Sequence, residues 1–509
     1  MIRTGRAARS SGALLAIAGG LVYALAEPPF DLYPGVLVGL SLLAASFFRA
    51  ESFRAAFANA FLWAFAMELV TLRRAAAVVQ NFTPLGPVLA WACLPLLASA
   101  QSLAYGAAFG FAHLAASKLR IAKTAPFAAA LFLALLSPAV FAWTPAGLLS
   151  PIPVLLQLAE VVGEHGVSVF LGLAAALFAN ACLQRSLRPA IAGTAILAFM
   201  LAHGAFRMRA VAQEESAAPS LRVALLQPGI DAKRRWANDE HLAILTELRA
   251  LTRRAEAEGA MLTIWPEAAY PYLLPHSAGP TPIGERGIVG GDVRGPVLAG
   301  LITHDRASNR YNSATIVAPN GRMQFPQDKL DLLWFGETVP FGDVFPWLRR
   351  TFQPRGALLP GKEARLLTSG DARIAVLNCY EDSLTARGRA MAALSPNLLV
   401  NVTNDAWFVP SAEPELHLRL SVLRAIELRR SLVRAVNMGP SSWIDAAGRV
   451  RARYDDDEPG FVMANPASYE RPPTVYARFG HMSMTMLLGG WLVAEVLARR
   501  RERREAARA

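Results

Sequence analysis

Arg373-Ile-Ala-Val-Leu-Asn378 runs straight into Cys379-Tyr-Glu-Asp-Ser383. A short apolar, β-branched run that breaks into polar residues reads as a buried strand ending in a turn, and a strand end of this kind is where a nucleophile belongs. Two other polar residues occupy comparable places. Glu267 closes Met261-Leu-Thr-Ile-Trp-Pro-Glu267, and Lys329 opens Lys329-Leu-Asp-Leu-Leu-Trp-Phe-Gly-Glu337. A carboxylate, an ammonium and a thiol in that chain order can act as base, oxyanion stabiliser and nucleophile for acyl transfer.

Around these residues the sequence alternates short strands with helices. Residues 221–227, 261–265, 296–303, 313–318, 373–378 and 397–403 read as strands bounded by Gly, Pro or Asn. Residues 239–258 and 413–435 read as amphipathic helices, the first with a stripe of Leu242, Leu245, Leu248 and Leu251. The Arg-rich second helix reads as a solvated face over a core stripe. The expected fold of this part is a layered α/β domain. It has no Gly-rich phosphate loop, dinucleotide fingerprint or metal-ligand spacing, so the reaction is expected to need no cofactor and no metal.

Composition places this domain in a membrane protein. Of 509 residues 53% are hydrophobic and 18% charged, and the mean hydropathy is +0.30, too apolar for an ordinary soluble chain. The apolar residues concentrate before residue 206 and after residue 481. Spans of roughly 17–25 residues fall at 11–27, 33–49, 54–71, 85–117, 125–143, 165–185, 188–205 and 482–498, eight in all. The expected domains are a seven-helix membrane part at 1–205, a catalytic domain at 206–480, and a final span with a basic tail at 481–509.

Basic residues set the orientation. Arg3, Arg6, Arg9, Arg54, Lys118, Arg120, Lys123, Arg185, Arg188 and the tail from Arg499 mark one side; residues 27–33 and 144–163 lack Lys and Arg, with Arg73 and Arg74 the exceptions. Both termini are therefore expected in the cytoplasm, and parity puts residues 206–480 outside it. The net charge of +12 is then chiefly a topology signal, and nothing points to nucleic acid. The first apolar segment, with Ala24-Leu-Ala26, has features of a signal peptide, but a retained helix fits the parity. Cys93 and Cys182 fall in expected spans, which leaves Cys379 as a free thiol.

Trp265-Pro-Glu-Ala-Ala269, Lys329 with Glu337 in Phe-Gly-Glu, Cys379-Tyr-Glu381 and Asn404-Asp-Ala-Trp-Phe408 together resemble the nitrilase superfamily, whose triad is Glu, Lys and Cys on an αββα sandwich. With spans before the domain, and Tyr476-Ala-Arg-Phe-Gly480 ahead of the last one, the chain is similar to the membrane branch, the apolipoprotein N-acyltransferases. The resemblance implies transfer of a fatty acyl group from a phospholipid to the α-amine of a diacylglyceryl-modified N-terminal cysteine of an apolipoprotein, in the bacterial inner membrane. Glu267 would be the base, Cys379 the nucleophile, and Lys329, with a backbone N–H near Tyr380, the oxyanion stabiliser. A nearby ammonium and a helix N-terminus are expected to favour the thiolate. The resemblance also implies that Glu337 and Glu381 support Lys329 and the nucleophile, and that Trp236, Tyr380, Trp407 and Phe408 line or gate the lipid entrance.

The pattern departs from the family in places. Asp331 and Trp334 stand where His and Pro are usual, Val409 replaces a Gly, and the third span reads Met67-Glu-Leu-Val-Thr-Leu-Arg-Arg74, where Glu68 and the arginines are expected at headgroups or in water. These changes bear on pocket shape and acceptor choice. Two other readings stay open at this point: a membrane-tethered amidase or nitrilase-type hydrolase, and a non-catalytic lipoprotein-binding scaffold.

Overall fold

The computed structural model describes residues 2–73, 76, 79–80, 86–139, 144–235, 237–334, 336–339, 341–352, 358–406, 408, 411–456 and 458–507. The chain forms two compact units. One holds the helices up to Phe206 together with Phe479–Ala509, and the other holds Arg207–Arg478.

In the helical unit, Ile2–Ala24, Pro34–Arg49, Phe53–Thr71, Pro87–Leu119, Thr124–Leu135, Ala159–Gln184, Leu187–Ser216 and Met482–Ala506 are helices, one for each apolar segment of the sequence. Five are long and apolar enough to cross a membrane; Ser11–Ala24, Pro34–Arg49 and Thr124–Leu135 are apolar but shorter. The helix expected at 125–143 stops at Leu135, three residues before Pro138, which cannot continue it. Conversely, the helix expected to end at 205 runs on to Ser216 through Ala, Met, Arg, Gln and Glu, all good helix formers. Small residues let the helices close up: a Cβ on Gly20 would stand 2.1 Å from the Trp63 carbonyl oxygen. The Trp63 indole donates to the Gly39 carbonyl at 3.0 Å. Glu68, expected at headgroups or in water, is instead buried and accepts from Gln101 at 2.9 Å. Arg73 is paired with Glu27. Apolar surroundings make such partners necessary.

The second unit is built on two sheets. In spatial order the first contains Gly460–Ala464, Val223–Gln227, Leu262–Ile264, Val297–His304, Arg310–Val317, Arg322–Met323 and Gly279–Pro280, with Leu274–Pro275 and Gln327–Asp328 attached to its central strands. The second contains Val450–Tyr454, Ser441–Ile444, Leu432–Asn437, Leu398–Asn404, Ala372–Asn378 and Leu366–Ser369. Alternation along each strand sends Val223, Leu225, Leu262, Ile264 and Leu298 of the first against Ile374, Val376, Leu398, Val400 and Val433 of the second, one continuous apolar layer. The opposite face of the first sheet, with Ala224, Leu226 and Trp265, is covered by Ile244, Leu245, Leu248 and Leu251 of helix His241–Ala257. Helices Thr385–Ala392 and Glu413–Leu428 lie against the second sheet. The layers are therefore α, β, β, α, the nitrilase-like arrangement.

Two details differ from the sequence reading. Leu242 is 44% exposed and Ile244 takes its place in the stripe. The helix expected over 413–435 ends at Leu428, where Arg429 turns left-handed (φ 50°), and Leu432–Asn437 is a strand. Its arginines are not a solvated face: Arg419, Arg424, Arg429, Arg430 and Arg434 are all buried, each held by carboxylates, carbonyls or both in the contacts of this region.

Val223–Gln227, Leu262–Ile264 and Val297–His304 are parallel neighbours in one sheet, and Ala372–Asn378, Leu398–Asn404 and Leu432–Asn437 are parallel neighbours in the other. Ligand sites form beyond the carboxyl ends of such strands. Ile374 is fully buried between the sheets, so Ile374→Ala is expected to cost about 2–5 kcal/mol. Thermal denaturation of the full chain in detergent should show a clear drop in midpoint; an unchanged midpoint would contradict this core.

Candidate active site

Glu267, Cys379 and Asn404 sit at or just past the carboxyl ends of Leu262–Ile264, Ala372–Asn378 and Leu398–Asn404, and Lys329 directly follows Gln327–Asp328. Two tight turns aim the first two. Cys379 itself has φ 52° and Ala268, next to Glu267, has φ 49°, a conformation that costs a residue with a Cβ roughly 1–2 kcal/mol. Gly300 on the adjacent strand is required by the Glu267 turn: a Cβ there would lie 2.2 Å from the Pro266 carbonyl oxygen and 2.8 Å from the Glu267 Cα.

At the centre is one ammonium between two carboxylates. Lys329 Nζ lies 3.0 Å from Glu267 Oε1 and 2.8 Å from Glu337 Oε2, and the lysine side chain is 2% exposed. Asn312 Nδ2 donates to both, 2.7 Å to Glu267 Oε1 and 2.8 Å to Glu337 Oε1. The Leu333 N–H donates to Glu337 Oε2 at 2.9 Å, and the Asn404 N–H reaches across from the other sheet to Glu267 Oε2 at 3.1 Å. Burial works against the charge on Lys329, but the two carboxylates prevail and hold its pKa well above the ordinary value. Burial pushes the Glu267 carboxyl up, Lys329 pulls it down, and the upward effect wins.

The Cys379 thiol is 7% exposed and responds to both charged neighbours. Burial raises its pKa, Glu267 raises it further, and Lys329 opposes with too little to compensate. Lys329 acts in the expected direction, toward thiolate, but burial and Glu267 outweigh it. The residues after it form a single 3-10 turn, Cys379–Ser383, rather than an α-helix. The balance favours the neutral form of the Cys379 thiol, and burial likewise raises the pKa of the Glu267 carboxyl.

Glu381 fastens this turn. Its Oε1 accepts from the Leu330 and Asp331 N–H groups at 2.6 and 2.9 Å, and its Oε2 from the Asn378 N–H at 2.9 Å. One carboxylate thus joins the backbone after Lys329 to the backbone before Cys379. Burial lifts its pKa to about 7, with those backbone donors pulling the other way. The Tyr380 hydroxyl donates to the Leu332 carbonyl at 3.1 Å, and its ring faces Lys329 Nζ with the centroid 5.6 Å away. Phe408 is half-buried one turn past Asp405, its N–H on the Asp405 carbonyl at 2.9 Å. Trp236, Trp407 and Val409 lie outside the described residues.

The departures at 331 and 334 have definite places. Asp331 Oδ2 accepts from Arg387 Nε of helix Thr385–Ala392 at 2.6 Å, and Trp334 is 61% exposed. Sequence reasoning missed Asn312, whose one signal is an amide within strand Arg310–Val317, and Arg387, which had none. It also missed His417, which lies 3.1 Å from both Asp405 Oδ1 and Asp382 Oδ1. Among the described residues no group of three or more His, Cys, Asp or Glu could hold a metal ion.

Glu381→Ala would leave three backbone N–H groups without their acceptor, at about 1–3 kcal/mol for each buried orphan. A substantially lower unfolding midpoint and faster alkylation of Cys379 are expected, measured by thermal denaturation and peptide-resolved mass spectrometry; wild-type behaviour in both would contradict the clamp.

Residues 222–467 match the carbon-nitrogen hydrolase family, and residues 19–177 match the apolipoprotein N-acyltransferase N-terminal domain. The chain is 30% identical to an apolipoprotein N-acyltransferase of Azotobacter vinelandii, with 97% of this chain and 96% of that protein covered. It is 31% identical to one of Allorhizobium ampelinum over 86% of each, and 29% identical to one of Geobacter metallireducens over 68% of each. With likeness of this extent through both the helical segment and the two-sheet unit, the chain belongs to the apolipoprotein N-acyltransferase family.

Proposed function

We propose that this protein moves a fatty acyl chain from a phospholipid, through a thioester on Cys379, to the α-amine of the diacylglyceryl-modified N-terminal cysteine of an apolipoprotein. The observation that carries the reading is the Glu267–Lys329–Glu337 cluster beside a buried thiol on a left-handed turn, in a chain of this family. The first half-reaction starts with Glu267 taking the thiol proton as Sγ bonds to the ester carbonyl carbon. Lys329 stabilises the oxygen that becomes negative. The tetrahedral adduct collapses by breaking the carbon–oxygen bond, and the departing lysophospholipid alkoxide takes its proton from Glu267. In the second half the α-amine attacks the thioester carbonyl, Glu267 accepts the amine proton, and the amide forms as the sulfur leaves and is reprotonated. Atoms and protons balance over the cycle, and no cofactor takes part.

Glu337, Glu381 and Tyr380 support Lys329 and the nucleophile turn. Trp236, Trp407 and Phe408 are assigned to the lipid entrance. The protein is a multi-pass protein of the bacterial inner membrane, with a membrane part at 1–205, a periplasmic catalytic domain at 206–480 and a final span with cytoplasmic tail at 481–509. The basic loops and the carboxyl-terminal arginines support cytoplasmic termini.

Incubation with phospholipid is expected to add one acyl mass to the Cys379 peptide in wild-type protein and none in Cys379→Ala. Lys329→Met should acylate about 10²–10³-fold more slowly, the loss typical of one oxyanion donor. An acylated Ala variant, or an unaffected Met variant, would refute the assignment. For topology, a cysteine introduced at Val450 is expected to react with a membrane-impermeant maleimide added outside intact spheroplasts; labelling only after lysis would reverse the orientation.

A further inference from the structure

Behind the nucleophile turn lies a buried chain of four charged groups that the chemistry above leaves unused. His417, on helix Glu413–Leu428, places Nδ1 3.1 Å from Asp405 Oδ1 and Nε2 3.1 Å from Asp382 Oδ1. Arg434, on strand Leu432–Asn437, donates to the other oxygen of Asp382. Asp382 belongs to the Cys379–Ser383 turn, and Asp405 directly follows Asn404, whose N–H holds Glu267. Both aspartates and Arg434 are fully buried. A neutral imidazole donates from one nitrogen only, whereas two carboxylate contacts need two donors. With His417 protonated the four charges cancel; with it neutral, a buried negative charge is left over.

Asp405 makes the choice consequential. Its Oδ2 is buried without a hydrogen-bond partner among the described residues, so His417 supplies the side-chain donor of this carboxylate. Asp405 also acts on the catalytic thiol, in the direction that raises its pKa. The groups facing the imidazole are Asp382 from the nucleophile turn, Asp405 from the loop after strand Leu398–Asn404, and Arg434 from strand Leu432–Asn437. Burial and Arg434 favour neutral His417, but the two carboxylates prevail and lift it to about 9.

We propose that the His417 imidazolium is a positioning residue: it ties the Cys379 turn to the Asn404–Asp405 loop and cancels the charge of Asp405, so that the thiol can give up its proton to Glu267. This inference rests on the acyl-transfer reading for its purpose, but not for its test. The test is alkylation of Cys379 by iodoacetamide across pH in the full-length protein in detergent, with no lipid present, read on the Cys379 peptide. His417→Gln, which keeps a donor but loses the charge, should move the labelling midpoint up by about one pH unit, about tenfold slower labelling on the rising limb. Asp405→Asn should move it down, and the double variant should return it near wild type, a cancellation that a merely structural role would not produce. An unchanged or lowered midpoint in His417→Gln overturns the proposal. If that variant does not fold, nitrogen NMR of histidine-labelled wild-type protein decides: one imidazole protonated on both nitrogens through pH 7.5 is expected, and none overturns it. Failure of thioester formation with this pattern intact would count against the acyl-transfer reading alone.

Discussion

The contact on which the site depends is the Lys329 ammonium held between Glu267 and Glu337 in a pocket almost closed to water. Its members come from two stretches of chain, Glu267 beyond strand Leu262–Ile264 and Lys329 with Glu337 in the loop after Gln327–Asp328, so the Glu267 ion pair exists only when those two strands are in place. Burying these charges is expensive, and removing one member of such a group typically costs 3–5 kcal/mol because the others are left uncompensated. Asn312 and the N–H groups of Leu333 and Asn404 supply the further hydrogen bonds that make the arrangement tolerable. Since Asn404 belongs to the second sheet, the cluster also fixes one sheet against the other at the site.

The same burial decides the state of the thiol. Lys329 alone would favour thiolate, yet the dry surroundings and Glu267 push the pKa of Cys379 up. A neutral thiol, with Glu267 as its proposed base, suits the proposed two-substrate cycle, because charge then develops only once a carbonyl is present to receive the sulfur. The left-handed turn at Cys379 is strained, and Glu381 holds it by gripping backbone on both sides of the pocket. Glu381 and His417 act on the same turn from different sides, one through backbone N–H groups and the other through Asp382.

Much of this was legible in the sequence because strand ends are written in composition. An apolar run that stops at a charged residue or a thiol fixes both the strand and the residue beyond it, which is why Glu267 and Cys379 stood out, whereas Lys329 stood out as the opening of the run to Glu337. The paired sheets followed from the resemblance in the motifs around them. What stayed hidden has a physical cause in each case. Helix Glu413–Leu428 was read as continuing to 435, since nothing in Arg429-Arg-Ser431 announces a left-handed end. Its arginines looked solvated because sequence does not show the carbonyls and carboxylates that bury them. The thiol's protonation depends on the balance between burial and two opposite charges, a balance of distances that spacing along the chain does not encode. Glu68 looked interfacial for the same reason: its partner Gln101 is on another helix.

The central claim is that Cys379 carries the acyl chain as a thioester and passes it to an amine, not to water. An acyl-enzyme formed from labelled phospholipid, freed of excess lipid and then chased, tests this most directly. The account predicts that the Cys379 thioester persists in buffer, discharges when a diacylglyceryl-cysteine peptide with a free α-amine is added, and is unaffected when that amine is acetylated. Rapid loss of the label to water, at a rate the peptide does not change, would contradict it and make the protein a hydrolase.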